Sequence, residues 1–209
     1  GVTTRLGENH YIMTTTTGGA ANVMGKLEDY LQTEWPELDV YLTSVTDHFA
    51  TTTVGGPNSK KILSKLIPSF DFSDENFPHM SFKEAIIGKI KCRIMRISFT
   101  GELSYEINVQ ANYGQSLWEQ CMKAGKEFNI TPYGTETMHL LRAEKGFIIV
   151  GQDTDGTMTP IDLQMNWIVS KKKYDFIGKR SLYRSDTMKE ERKQLVGLIT
   201  ENPKEILEE

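Results

Sequence analysis

An α+β domain with mainly antiparallel sheets and packed helices is the fold class this sequence predicts, and three observations predict it. Runs of β-branched and aromatic residues alternate with helical stripes in the order strand–helix–strand–strand–helix, then strand–strand–helix–helix. The stretch "KIKCRIMRISF" sets Ile90, Cys92 and Ile94 against Lys89, Lys91 and Arg93, the pattern of a strand with one buried face. Apolar residues also recur at helical spacing, as in Ala20, Met24, Leu27 and Leu31.

Taken in order, the first residues read as strand and residues 11–15 as a second short one. Gly18 and Gly19 then punctuate the chain before a helix over about residues 20–34. Residues 40–45 and 49–54 are rich in Val, Thr, Tyr and Phe and predict two strands. "GGP" at 55–57 opens a helix that turns Ile62, Leu63 and Leu66 inward, and the proline-containing stretch 68–80 predicts a loop. After the strand from residue 90, "SYEINV" predicts another. A helix follows with Tyr113, Leu117, Trp118 and Cys121 on its apolar side. A final helix over about 135–145 carries Met138 and Leu141 and stops at Gly146 as a C-cap.

The 209 residues carry a formal charge of −4, with 38% hydrophobic and 25% charged residues, which describes an ordinary globular protein. An acidic balance speaks against general nucleic-acid binding. No run reaches the roughly 18 apolar residues that a membrane span requires. Cys92 and Cys121 read as buried small hydrophobes in a reducing, cytoplasmic setting. After the charged stretch 189–193, residues 195–199 open a new apolar run that reads as the start of a strand. The expected organisation is therefore one region over 1–190, then a linker over 191–209 leading into a further, mostly absent domain, which makes this a truncated chain.

The residues weigh unevenly as chemistry. "GQDTDG" at 151–156 starts like a calcium loop, but its first position is Gly151 and its twelfth Asp162, where a glutamate is needed. "VGGPNSKK" and "GKRS" lack the phosphate-loop spacing, no GxGxxG follows a strand, and His10, His48, His79 and His139 make no ligand pair. Glu106 is the sharper signal. Alternation places Tyr105, Ile107 and Val109 on one face of their strand and Ser104, Glu106 and Asn108 on the other. There the carboxylate is either a solvated surface group or the floor of a ligand cleft, where it would accept two parallel hydrogen bonds from an amidine-like edge.

The ordered stretches "YIMTTTTGGA", "VTDHFATTTVGGP", "FTGELSYEI", "ITPYGTETMHLLRAEKG", "VGQDTDGTMTP", "DFIGKRSL" and "RKQLVGL" resemble one family along essentially the whole chain. It is the aminomethyltransferase (T-protein) family of the glycine cleavage system, in the form shared by the folate-binding part of sarcosine oxidase alpha subunits and by dimethylglycine dehydrogenases. The resemblance implies tetrahydrofolate in a central channel, with Glu106 gripping the pterin edge. It implies Phe99 packing on the pterin in place of the usual tyrosine, Trp167 as a second aromatic wall, and Thr15 and Thr16 at the strand end that meets the pterin.

It further implies one-carbon transfer from oxidised sarcosine, giving 5,10-methylenetetrahydrofolate and glycine. FAD and NAD are then expected only elsewhere in the complex, on flavin-containing sarcosine oxidase subunits. The alternative is a folate-binding or purely structural module that docks a flavoprotein subunit. The methylated amine itself, sarcosine or dimethylglycine, stays open. Two departures qualify the resemblance. Met138 stands where the family has a folate-contacting arginine, Arg142 lying one turn later. The family's catalytic aspartate would precede residue 1. A third reading, the role of the relatives linked to iron–sulfur maintenance, is disfavoured because Phe147 stands where those carry a cysteine.

Overall fold

The computed structural model describes residues 1–205. Contacts divide the chain into two units, Gly1–Met138 and His139–Glu209, with the division falling inside a helix.

In the first unit, β1 (Val2–Gly7) and β2 (His10–Thr14) form an antiparallel hairpin with an irregular step between Arg5 and Gly7. The helix α1 (Ala20–Thr33) follows, with its stripe of Ala20, Met24, Leu27 and Leu31 half-buried. The sheet of this unit has the order β3–β6–β5–β4, antiparallel throughout, from β3 (Phe49–Gly55), β4 (Phe82–Ile87), β5 (Ile90–Met95) and β6 (Ser104–Gln110). The helices α2 (Ser59–Leu66) and α3 (Gly114–Gly125) pack together against one face. Leu63, Ile87, Ile94, Tyr105, Ile107 and Leu117 are fully buried between helices and sheet. Burying each of the aliphatic side chains among them contributes about 1.5–3 kcal/mol. The loop after α2 closes one end of this core, where the Phe77 ring stacks on Tyr105 with centroids 6.0 Å apart. Ser59 fastens the start of α2 by donating to Gly56 O at 2.7 Å and Leu103 O at 3.1 Å.

Four sequence expectations change. Residues 40–45 form no strand; no neighbouring strand pairs with them, Tyr41 is 90% exposed, and β-branched content without a partner gives no ladder. The strand β4 was not expected. It pairs with β5 through a two-residue turn in which Gly88 takes a left-handed φ of 62°, a conformation glycine adopts without strain. On α3, Leu117 and Cys121 are buried one turn apart, whereas Tyr113 and Trp118 lie 41% and 45% exposed, off the contact stripe. Residues 195–199 form no strand either, although Leu195 N donates to Asp162 O at 2.8 Å.

The helix α4 (Thr135–Glu144) ends as its sequence predicts. Gly146 takes φ 73°, its N–H donates to Ala143 O, and Phe147 N donates to Arg142 O. In the second unit, Arg142 is buried and pairs with Asp153 while donating to Phe147 O at 3.1 Å. Asp162 accepts from Thr159 N and is clamped by Arg192, whose Nε reaches Oδ1 at 2.7 Å. That double use holds the Asp162 carboxyl well below the usual carboxylate range. The loop that starts like a calcium site is thus closed around an arginine. Among the described residues, no helix is long and apolar enough to cross a membrane.

Candidate functional site

Each strand of the four-stranded sheet shows alternate residues to its two faces. On the face away from the helices, β6 presents Ser104, Glu106 and Asn108, which pair in register with Gly55, Thr53 and Thr51 of β3. On its other side, Glu106 pairs with Met95 and Asn108 with Arg93, both on β5. The composition of β6 leaves this second face looking like a solvated surface. The structure instead covers much of it, with Ser104 only 3% and Asn108 8% exposed. Part of the cover is the β1–β2 hairpin: Thr4, itself buried, donates from Oγ1 to Met95 Sδ at 3.4 Å.

Glu106 therefore stands in the middle of a sheet, on a rung between Thr53 and Met95, half-buried. Among the described residues nothing donates a hydrogen bond to its carboxylate and no cation pairs with it. Burial pushes its pKa up from the ordinary carboxylate value. Met95, Thr53 and Ser104 add no charge to oppose that shift. A half-buried carboxylate to which no described residue donates is set up to receive donors from a ligand.

One neighbour escaped the sequence reading. Tyr133, between two helices, brings its hydroxyl to 3.9 Å from where a Cβ on Gly55 would sit, and Ser104 Oγ lies 3.5 Å from the same point. Gly55 is the register partner of Ser104, so the phenol rests one rung from Glu106. Burial first, and then the negative charge of Glu106, raise the Tyr133 pKa. Pro132-Tyr133-Gly134 reads as a plain turn; its one signal was an aromatic in a glycine-proline loop.

The other expected site residues are placed as follows. Phe99 lies in the loop entering β6, two-fifths exposed, just before the buried Thr100. Thr15 and Thr16 follow the last residue of β2, on the hairpin that covers the Glu106 face; Thr15 Oγ1 donates to Thr16 O at 3.2 Å. Trp167 belongs to the second unit, in a short 3-10 turn over Asn166–Ile168, and is 75% exposed. Among the described residues no three His, Cys, Asp or Glu side chains come together as a metal site.

This geometry coincides with a family match: the model described as the GCVT N-terminal domain matches residues 1–173. The chain belongs to that family. This GCVT domain is 58% identical, over 200 residues and 95% of its length, to sarcosine oxidase subunit alpha of Corynebacterium sp. (strain P-1). It is 43% identical over 207 residues to the subunit of the same name from Rhizobium meliloti (strain 1021), 98% of the chain being covered. An aminomethyltransferase of Halothermothrix orenii is 34% identical over 140 residues, 66% of the chain and 38% of that protein. The chain spans 21% of the length of both sarcosine oxidase subunits.

Proposed function

We propose that this GCVT domain binds tetrahydrofolate, with Glu106 as its pterin anchor, in an assembly that oxidises sarcosine. The observation that carries the reading is the unpartnered, half-buried Glu106 carboxylate. A pterin edge, with one ring N–H and one amino N–H side by side, offers the two parallel donors that such a carboxylate matches. The donor set suits this ligand because the edge is neutral: it satisfies the oxygens without requiring a second buried charge. The match to sarcosine oxidase alpha subunits supports the substrate class, and the word "subunit" in their names supports partners, which we take to be flavin-containing.

Bound tetrahydrofolate would supply the amines that accept a one-carbon unit from oxidised sarcosine, leaving glycine and 5,10-methylenetetrahydrofolate. The chain's own part is binding and positioning. Glu106 fixes the pterin edge and must be ionised to do so. Phe99 offers a flat apolar face from the loop that leads into the same strand. Thr15 and Thr16 stand at the end of the hairpin over this face. Holding the acceptor at reacting distance replaces a bimolecular encounter, and a covered face limits water, which would otherwise release the carbon as formaldehyde. We further assign residues 1–190 to the folate-binding region and 191–209 to a linker, of which 206–209 lie outside the described residues.

The test is turnover of sarcosine by the full assembly with tetrahydrofolate present. The reading expects 5,10-methylenetetrahydrofolate from the parent and free formaldehyde from a Glu106→Gln assembly that oxidises sarcosine at the same rate. Equal partition in both would remove Glu106 from the site. Formaldehyde alone from the parent would make the domain a docking module.

A further inference from the structure

We propose that the same sheet face carries a second site, an oxyanion-binding groove one rung along from Glu106, built on Arg93 and Asn108. Register places Thr51, Asn108, Arg93 and Glu84 in one row across all four strands. Thr51 Oγ1 donates to Asn108 Oδ1 at 2.7 Å. That bond holds the amide oxygen on the β3 side and leaves Nδ2 on the β5 side, where Arg93 stands. Asn108 Nδ2, Arg93 Nε and Arg93 Nη1 are all buried, and none has a hydrogen-bond partner among the described residues. Asn108 is 8% exposed, and the Arg93 side chain 14%.

Three buried donors without acceptors on paired residues are costly to a fold. The groove beside them explains the cost. It holds about 610 Å3 and is lined by Phe49, Glu84, Lys89, Lys91, Arg93 and Asn108, among others. The Arg93 guanidinium carbon sits 5.8 Å from the centroid of the Phe49 ring, within cation–π range of this wall. Among the described residues one carboxylate reaches this head: Glu84 Oε1 lies 3.5 Å from Nη2, at ion-pair rather than hydrogen-bond distance, on a side chain 72% exposed. Glu84 is a weak internal stand-in that a better acceptor displaces. With three cationic residues to one acidic residue on its walls, the groove takes an anion, and its donors suit the oxygens of a carboxylate or phosphate group on a small molecule. The polarity is opposite to that of Glu106, so this site does not rest on the folate reading.

The experiment is calorimetric titration of sodium phosphate, and separately of sodium acetate, into the full chain at constant ionic strength, with three variants alongside. Saturable one-to-one binding by the parent is expected, and the tighter arm identifies the oxyanion. Glu84→Gln removes the competing carboxylate from an exposed position and tightens binding by roughly fivefold. Arg93→Met and Asn108→Leu each weaken it by roughly tenfold or more. Two results overturn the site. One is no saturation by either anion in the parent and in Glu84→Gln, which would leave the donors to water. The other is parent-like binding by a folded Arg93→Met protein, which would reduce the effect to diffuse attraction by Lys89 and Lys91.

Discussion

Replacing Glu106 with glutamine should make the ligand-free protein more stable and the folate-bound protein less so. Glu106 is half-buried without a donor, and burial raises its pKa. The sign follows. Its folded pKa lies above its unfolded one, so the charged form is the one that folding penalises. Stability from this group is present at low pH and is lost as pH rises through the raised pKa. At neutral pH the neutral amide escapes that penalty, and the melting temperature of the free variant rises.

Ligand reverses the order. An amide accepts one of the two pterin hydrogen bonds and meets the second donor with a donor of its own. Losing a charge-assisted bond costs about 1.5–3 kcal/mol, or roughly 10- to 150-fold in Kd. At tetrahydrofolate equal to about 100 times the parent Kd, the parent gains about 2.7 kcal/mol; a variant binding about 100-fold more weakly gains about 0.4 kcal/mol. For a chain of this size each kcal/mol moves Tm by roughly 2–4 °C, so the parent should shift by about 5–11 °C and the variant by about 1 °C. Differential scanning fluorimetry with and without tetrahydrofolate reads both effects. Equal ligand shifts in the two proteins, or a free variant that melts below the parent, would refute the reasoning. The same logic fixes the pH dependence: folate affinity should fall as pH drops through the raised Glu106 pKa.

Other expectations concern the scaffold. Ile107→Ala, at a fully buried position in the central strand β6, should cost about 2–5 kcal/mol and lower the urea midpoint accordingly. Gly125→Ala would bring a Cβ to 2.6 Å from the Ile130 Cβ, an overpacking that costs about 1–3 kcal/mol in the same measurement. Burial pushes both the Cys92 and Cys121 thiols up to about 11, so iodoacetamide at pH 7.5 should label neither in the native protein and both in urea, by mass spectrometry.

How much the sequence reveals depends on whether a feature is local. The buried set Ile90, Cys92 and Ile94, the inward pair Ile62 and Leu63, and the glycine stop at Gly146 all follow from periodicity or a single backbone requirement, and the structure has them. Residues 40–45 mislead because strand formation needs a neighbour that composition does not supply. The strand β4 hides because "SFKEAII" alternates poorly, and it is stabilised by pairing with β5. The alternation that sets Glu106 beside Ser104 and Asn108 is legible, but the cover over that face is not, since Thr4 reaches Met95 from 91 residues away. The row from Thr51 to Glu84 is likewise a product of tertiary register with no trace in any one segment, and Tyr133 shows only as an aromatic in a glycine-proline loop.

The central claim is that Glu106 anchors a pterin. Isothermal titration of tetrahydrofolate into this chain, with Glu106→Ala beside it, tests that most directly. The account predicts saturable binding by the parent and its loss in a folded variant. Binding of equal strength by both proteins would contradict it.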